Sequence, residues 1–330
     1  MTTDRWRIFT GTGDVHDGIE RLPEPPPWRR FNGEPVAAFD RTPTTPHGQR
    51  RTALATTYQA DPSTIDLVNT ALYLRRPLLV TGEPGVGKST LAYAVAHELR
   101  LGAVLRWPIT SRSTLRDGLY RYDAIGRVED ASTGDAADGH LGRYLRLGPL
   151  GTALVPYPIP RVLLVDEIDK SDFDFPNDLL NIFEEGEYEI PELARVADTT
   201  PQVWLQPADQ GPKVLVNQGL VACREFPLII MTSNQEREFP AAFLRRCVRL
   251  DLPSPDHARL GAIVAAHLGP DRARSSEDLI ATFLARRETG EMATDQLLNA
   301  VYLLDRAAGN DHGARRHLAD LILRQLNSTA

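Results

Sequence analysis

The stretch Gly82-Glu83-Pro84-Gly85-Val86-Gly87-Lys88-Ser89 decides the fold of this chain. It follows a short apolar run, 78–80, and precedes a segment whose apolar residues recur at helical spacing. The pattern G-x-x-x-x-G-K-[ST] is typical of a phosphate-binding loop between a strand and a helix. Glycines let the backbone turn tightly so that successive N–H groups face phosphate, and the helix that begins there adds the positive end of its dipole.

Two side chains in this loop have distinct tasks toward a triphosphate and its metal ion. We expect Lys88 to place its charge on the β- and γ-phosphates, and we expect the Ser89 hydroxyl to ligate Mg²⁺. The chain has three lysines among its 37 basic residues, so a lysine at this position is a signal in itself. The predicted ATP-binding residues are Gly82, Glu83, Pro84, Gly85, Val86, Gly87, Lys88, Ser89 and Thr90.

Two carboxylates, Asp166 and Glu167, end a second apolar run, 162–165. Parallel sheets bind ligands at the carboxyl ends of their strands, so this run is expected to lie adjacent to the strand that precedes the phosphate loop. Asp166 is predicted to hold Mg²⁺ through water, and Glu167 to polarise the attacking water as general base. The alternative is a plain surface Asp-Glu pair, which the upstream phosphate loop disfavours.

Two further polar positions suit ATP hydrolysis. Asn234 comes two residues after the predicted strand 228–232. It is predicted to position the attacking water, although it could simply begin a turn. Arg245 and Arg246 precede another short apolar run. An arginine that reaches the γ-phosphate of a neighbouring subunit stabilises transition-state charge. The alternative for this pair is two solvated arginines.

Apolar patterns along the chain predict an α/β core, a parallel sheet flanked by helices, followed by an all-helical lid. Residues 1–50 hold seven prolines and are interpreted either as a flexible leader or as an arm that docks through Trp6, Trp28 and Phe31. After Pro253 only helical periodicity remains, with a last helix around Leu318 to Leu326. The predicted divisions are an N-terminal arm (1–50), a nucleotide-binding domain (51–253) with an insert at 111–160 and a hairpin-like insertion at 186–226, and a helical lid (254–330).

Net charge and the distribution of apolar residues disfavour two classes of protein, those that mainly bind nucleic acid and those that span a membrane. The net charge of −7 argues against a protein that mainly grips a phosphate backbone. No apolar run is long enough to span a membrane, and the first thirty residues contain no apolar segment of the signal-peptide kind, so we expect a cytoplasmic protein. The strong preference for arginine over lysine suggests a GC-rich bacterial genome.

These elements, in this order, resemble the AAA+ ATPases, and their details are similar to the MoxR family. The resemblance covers residues from about 52 to 326 and implies a five-stranded parallel sheet. It rests on the Walker A stretch 80–89, the Walker B stretch 163–170, the following helix 179–186, the helix-2 insert at 148–154 and the sensor-1 segment 231–234.

Two positions depart from the pattern of this family. Where its members show Leu-Asp-Arg-Phe, this chain has Leu244-Arg245-Arg246-Cys247, so the trans-acting arginine finger maps to Arg246 while Arg245 replaces an acid. The sensor-2 arginine is matched by Gln296, which carries no charge; Arg315 and Arg316 are nearby cations. A slower turnover, or dependence on a partner, would follow.

The resemblance implies a hexameric ring that hydrolyses ATP at its subunit interfaces to remodel a protein client, often a von Willebrand A-domain protein. The segment 118–123 resembles ATPases of bacterial conflict or defence systems. Two other hypotheses stay open: an assembly switch that hydrolyses ATP slowly or not at all, and a nucleic-acid motor with Arg112, Arg116, Arg121 and Arg127 lining a pore. The predicted cofactors are ATP and Mg²⁺.

Overall fold

A parallel sheet lies at the centre of the computed structural model, which describes residues 6–35, 39, 41, 55–132, 141–209, 211–287 and 294–307. The described strands, in chain order, are β1 (Leu78–Thr81), β2 (Leu105–Pro108), β3 (Tyr120–Tyr122), β4 (Leu145–Leu147), β5 (Val162–Asp166), β6 (Glu187–Glu189), β7 (Gln202–Leu205), β8 (Val214–Asn217), β9 (Leu220–Ala222), β10 (Leu228–Ser233) and β11 (Val248–Asp251). Five of them form the central sheet in the order β11–β1–β10–β5–β2, and all its pairs are parallel. This confirms the predicted five-stranded parallel sheet.

Helices connect and cover these strands. They are α1 (Pro62–Leu74), α2 (Lys88–Glu98), α3 (Leu115–Leu119), α4 (Ala124–Ser132), α5 (Pro149–Ala153), α6 (Phe175–Glu185), α7 (Pro191–Ala194), α8 (Ala241–Leu244), α9 (His257–Leu268), α10 (Pro270–Arg274), α11 (Glu277–Arg287) and α12 (Thr294–Ala307). Helix α1 begins as the sequence predicts, because the Asp61 carboxylate accepts a hydrogen bond from the Thr64 amide (2.8 Å) ahead of a proline at the first helical position.

Strands β5 and β10, two of the three inner strands of the sheet, are buried along their whole length, since helices cover both faces. On one face Val80 and Leu164 pack with the apolar sides of α1 and α2. On the other face Leu163 and Met231 pack with α5, α6 and the inserted strands. The sheet is thus held between two separate apolar clusters.

Two smaller sheets occupy the stretches predicted as insertions. Strands β3 and β4 pair antiparallel within 111–160. Within 186–226 the chain forms a four-stranded sheet of order β6–β9–β8–β7, which is larger than the hairpin that the alternating pattern indicated. Leu147 and Gln206 join the two sheets, because the Leu147 amide donates to the Gln206 carbonyl at 3.0 Å.

Helices α9 to α12 have an apolar cluster of their own, which includes Leu260, Phe283 and Val301. The C-terminal region is therefore helical as far as the structure describes it, to residue 307. The last predicted helix, Leu318 to Leu326, lies outside the described residues. None of the described helices is long and apolar enough to cross a membrane.

The described part of the N-terminal arm lies against the core. Ile8 and Phe9 are almost fully buried, and both of their amides donate to the side-chain oxygen of Asn69 in α1 (2.7 and 2.9 Å). Farther along, the buried Glu98 carboxylate at the end of α2 accepts hydrogen bonds from the arm. These contacts fit the interpretation of residues 6–35 as a docked arm better than that of a flexible leader.

The aromatic residues expected to anchor the arm contribute unequally. Trp6 meets the Tyr73 ring edge-on at 5.8 Å, and Phe31 stacks on Phe226 at 5.4 Å. Trp28 is 77% exposed, which corrects the expectation that it docks. Its neighbour Arg29 is the buried residue of that turn, with its guanidinium 4.7 Å from the centre of the Phe226 ring.

Candidate nucleotide-binding site

The loop from Gly82 to Gly87 joins β1 to α2 and has the backbone shape that its glycines permit. Gly82, Gly85 and Gly87 all have positive φ, at 144°, 80° and 95°. A β-carbon on Gly82 would lie 2.6 Å from the carbonyl oxygen of Leu252, so the close approach of the chain just after β11 also requires glycine there. Glu83, Pro84 and Gly85 are exposed, and they form the rim of the loop.

Lys88 opens α2 and places its ammonium inside the loop. The side chain is buried, and Nζ donates to the carbonyl oxygens of Gly82 (2.7 Å) and Glu83 (2.8 Å). Burial lowers the pKa of Lys88, although nearby acids, Asp169 first among them, act in the opposite direction. The loop therefore surrounds a fixed cation, which is the arrangement expected of a phosphate site. Thr90, also predicted to bind ATP, is half-buried in the first turn of the same helix.

The structure brings Ser89 and Asp166 together. The Ser89 hydroxyl donates to Oδ1 of Asp166 at 2.6 Å, although the strands β1 and β5 are not neighbours. Strand β10 lies between them, which corrects the expectation of adjacent strands. The gap is bridged because Ser89 projects from α2, which packs across β5. The hydroxyl of Thr232 in β10 also donates to the same oxygen, at 3.0 Å.

The other oxygen of Asp166 faces Arg106, a residue of β2 that sequence reasoning missed. Arg106 donates to Oδ2 through Nε (3.1 Å) and Nη2 (2.7 Å). Burial raises the pKa of the Asp166 carboxyl, but the hydrogen bonds from Ser89 and Arg106 and the Arg106 charge outweigh it, so the net pKa lies below the ordinary value. Asp166 is thus an ionised carboxylate between two hydroxyls and one guanidinium.

Glu167 follows directly, but its side chain lies in a different environment. Its backbone is left-handed, with φ 60° and ψ 54°, and its amide donates to the Thr232 hydroxyl at 2.8 Å. The carboxylate is half exposed and pairs with Lys170 at 2.9 Å, which raises the pKa of that lysine. Thr232 therefore fixes both Asp166 and Glu167 from the intervening strand.

Asn234 lies just beyond β10, next to the turn that follows Glu167. Its amide donates to Oδ2 of Asp169 at 2.7 Å, and its side chain lies 3.5 Å from Glu236. Asp169 is buried, and within the described structure its Oδ1 has no hydrogen-bond partner. The end of β10 and the turn after β5 are thereby tied together, so Asn234 and Glu167 share one edge of the sheet.

Arg246 lies apart from these residues, after α8. Its Nε donates to Oε1 of Glu184 at 2.5 Å and its Nη1 to the Ala242 carbonyl at 3.1 Å. Arg245 is exposed, and its guanidinium has no hydrogen bond or ion pair with any residue that the structure describes. Its carbonyl accepts from Arg76 at 2.9 Å. Of these two arginines, only Arg246 contacts Glu184 among the residues that the structure describes.

The sensor-2 position and the arginines of the insert lie outside this group of residues. Gln296 lies in α12 and is half-buried, whereas Arg315 and Arg316 lie outside the described residues. Among the arginines of the insert, Arg116 pairs with Glu192 at 2.7 Å and Arg127 donates to the Tyr122 hydroxyl at 2.9 Å. Arg112 and Arg121 are exposed.

The donor set at the end of β5 fits Mg²⁺. This ion prefers hard oxygen ligands and keeps several waters, so that one carboxylate and one hydroxyl suffice as protein ligands. Asp166 Oδ1 and Ser89 Oγ are such oxygens, 2.6 Å apart and beside the phosphate loop. The low pKa of the carboxylate keeps it ionised and ready to bind a cation.

The part of the chain that carries this geometry matches a known family. The model of one family, the AAA domain of the dynein-related subfamily, matches residues 77–247, which is more than half of the chain. The match begins just before β1 and ends after Arg246, so it contains the phosphate loop, Asp166, Glu167, Asn234 and Arg246, whereas Gln296 lies outside it. No curated protein is significantly similar in sequence to the chain.

Proposed function

Because this chain belongs to the AAA domain family, dynein-related subfamily, we propose that it is an ATP hydrolase that works as a ring and remodels a protein partner. Family membership supports nucleotide-dependent activity. The observation that carries it is the contact of 2.6 Å between Ser89 and Asp166, which joins the phosphate loop to the acidic end of β5.

Within one subunit, Lys88 supplies positive charge to the β- and γ-phosphates of ATP, and the backbone N–H groups of the loop 82–87, from all its residues but Pro84, orient them. Ser89 and Asp166 would hold Mg²⁺, which neutralises phosphate charge when it is bound. Lys88 requires no large movement, because its ammonium already lies within the loop, 2.7 Å from the Gly82 carbonyl.

Glu167 is proposed as the general base, with Asn234 positioning the attacking water. The base must first leave Lys170, to which it is paired at 2.9 Å. Both side chains are nearly half exposed, and an exposed ion pair contributes about 0–1 kcal/mol, so breaking the pair between Glu167 and Lys170 costs little free energy. The left-handed backbone and the hydrogen bond to Thr232 hold the residue in place while its side chain changes partner.

Arg246 is proposed to act on the nucleotide of the neighbouring subunit. It is partly exposed, and its described contacts are to Glu184 and Ala242 rather than to its own phosphate loop. An arginine in trans is worth about 10³–10⁵ in rate in related phosphoryl-transfer enzymes. Hydrolysis would then require assembly, which accounts for a ring, and a hexamer is the form that the MoxR resemblance favours.

The client is proposed from the MoxR resemblance alone. That resemblance favours a partner such as a von Willebrand A-domain protein, and the segment 118–123 favours a bacterial conflict or defence system. A pull-down with the ATP-loaded Glu167→Gln variant, followed by electron microscopy of what it retains, tests both the ring and the partner. Recovery of monomers without a partner would contradict this part of the proposal.

Phosphate release tests the enzyme itself. We expect turnover per subunit to rise with protein concentration and to fall by at least 100-fold in Glu167→Gln, on the scale of general-base removal. Glu185→Gln is the matched control, since Glu185 is exposed and has no ion pair with a described residue. Equal rates for the wild type and Glu167→Gln would refute hydrolysis at this site.

A second candidate function is an ATP-dependent assembly switch. The observation that favours it is Gln296, which places a neutral side chain where the family pattern has the sensor-2 arginine. In that case ATP binding drives assembly while turnover stays negligible. A large gain of phosphate release in Gln296→Arg would show that the neutral side chain limits turnover in the native chain. Equal, negligible release by the wild type and Glu167→Gln, together with ATP-dependent assembly, would favour the switch over the hydrolase.

A further inference from the structure

One carboxylate, Glu184, connects the candidate finger to the N-terminal arm. Glu184 lies in the last turn of α6, where Oε1 accepts from Nε of Arg246 at 2.5 Å. Its other oxygen lies 3.7 Å from Nη1 of Arg29, a residue of the arm. Both oxygens therefore face arginines, one on each side of the helix end.

Arg29 is a buried cation with a defined set of acceptors. Its side chain is 6% exposed, and Nη1 donates to the carbonyl oxygens of Phe183 (2.6 Å) and Glu184 (3.3 Å). Nη2 donates to the carbonyl of Arg75 at 2.6 Å. Burial lowers the pKa of Arg29, while the charge of Glu184 is the largest opposing influence. A cation that satisfies the last carbonyls of a helix stabilises its C-terminus, so Arg29 fixes the turn that carries Glu184.

The arm holds Arg29 in this position through contacts on both sides. Before it, the Pro23 carbonyl accepts from Nη2 of Arg75 at 2.7 Å. After it, Phe31 stacks on Phe226, and the Gly33 amide donates to the Cys223 carbonyl at 3.1 Å. The placement of Arg29 is therefore a property of the docked arm and not of one flexible side chain.

We propose that Glu184 is a positioning residue for Arg246 and that the docked arm, through Arg29, sets the position of Glu184. An arginine that must reach a neighbouring subunit has several rotatable bonds, and a carboxylate at its Nε restricts them. The arm thus contributes to the catalytic site of the next subunit without touching nucleotide. This inference rests on the proposed trans role of Arg246.

The test measures the turnover number and KM for ATP in assembled protein. Because a small misplacement of a catalytic group costs up to about 100-fold, we expect Glu184→Ala to lower kcat by about 10- to 100-fold with KM unchanged. Glu184→Gln keeps an acceptor for Nε, so it should recover part of the loss. Glu185→Ala, the control at the adjacent exposed position, should match the wild type.

A double-mutant cycle separates positioning from a general structural role. In the Arg246→Ala background, Glu184→Ala should cause no further loss of kcat. Arg29→Met, which keeps the apolar stem but removes every donor, should reproduce the effect of Glu184→Ala, and Arg30→Met is its control. Arg30 is exposed and pairs only with Glu24 among the described residues.

The outcomes distinguish this inference from the proposed function. If Arg246→Ala abolishes turnover while Glu184→Ala behaves like Glu185→Ala, the positioning role is refuted and the finger stands. If Glu184→Ala lowers kcat equally in both backgrounds, Glu184 acts elsewhere and the inference is again refuted. If Arg246→Ala keeps wild-type turnover, the finger assignment fails, and the inference fails with it.

Discussion

Replacement of the buried Glu98 is expected to loosen the N-terminal arm without unfolding the core. Its carboxylate accepts from the amides of Thr10 (2.5 Å), Gly11 (3.3 Å) and Gly13 (3.1 Å), and from the Thr10 hydroxyl at 2.9 Å. His16 lies 3.2 Å away through Nε2. One side chain at the end of α2 thus holds the arm from residue 10 to residue 16.

The magnitude follows from this set of bonds. A hydrogen bond to a charged group contributes about 1.5–3 kcal/mol, but the donors in the arm are only half-buried and water replaces part of the lost energy. We therefore estimate about 2–4 kcal/mol for Glu98→Ala. The burial of Ile8 and Phe9, about 1.5–3 kcal/mol each, keeps the arm docked most of the time. The expected effect is more frequent opening.

Amide hydrogen exchange measures this opening directly. A change of 2–4 kcal/mol raises exchange at residues 8–13 by about 30- to 900-fold, whereas amides of β5 should keep their protection. Glu98→Gln, which keeps one acceptor oxygen, should give about half the free-energy change. Asp14→Asn is the control, because its carboxylate has no partner among the described residues. Unchanged exchange in Glu98→Ala would refute the assigned role of this carboxylate.

Three other perturbations test the site and the core. Lys88→Met should abolish ATP binding, measured by calorimetry, because it removes the ammonium that lies inside the loop and would neutralise phosphate charge; intact affinity would refute the phosphate site. Thr232→Val should lower the free energy of unfolding by about 1–3 kcal/mol and reduce turnover, since Asp166 and the next amide both lose a partner; equal stability in denaturant would contradict this. Burial raises the pKa of Cys223 and Cys247 to about 12. Both thiols of the native protein should therefore react with iodoacetamide at pH 8 far more slowly than those of the denatured protein. Equal reaction rates would show that the native thiols are accessible.

Local patterns were sufficient to predict the sheet and the phosphate loop. The apolar run 162–165 is typical of a strand buried on both faces, and the run 228–232 has the same character. The glycine spacing before Lys88 has one common structural solution, so the loop and the start of α2 followed directly. The N-cap at Asp61 was equally local.

Contacts between distant segments were not predictable from a single sequence. Arg106 precedes Asp166 by 60 positions, and nothing in the pattern of β2 marks it as a partner of that carboxylate. Glu184 is one of several acids in α6, and only the fold brings it to Arg246. The aromatic residues of the arm indicated that Trp28 would be buried. Burial depends, however, on the core surface against which the arm packs, and there Arg29 is the buried side chain.

The left-handed backbone at Glu167 separates two consecutive acids. A strand that continued past Asp166 would alternate its side chains between the faces of the sheet, but this residue instead turns the chain at once into a short 3₁₀ turn. One acid stays beneath the phosphate loop, and the next reaches solvent and Lys170. A β-branched residue such as valine or isoleucine is strained at this positive φ, so either substitution at position 167 should unfold the turn. Glutamine, in contrast, removes the charge and leaves the turn intact.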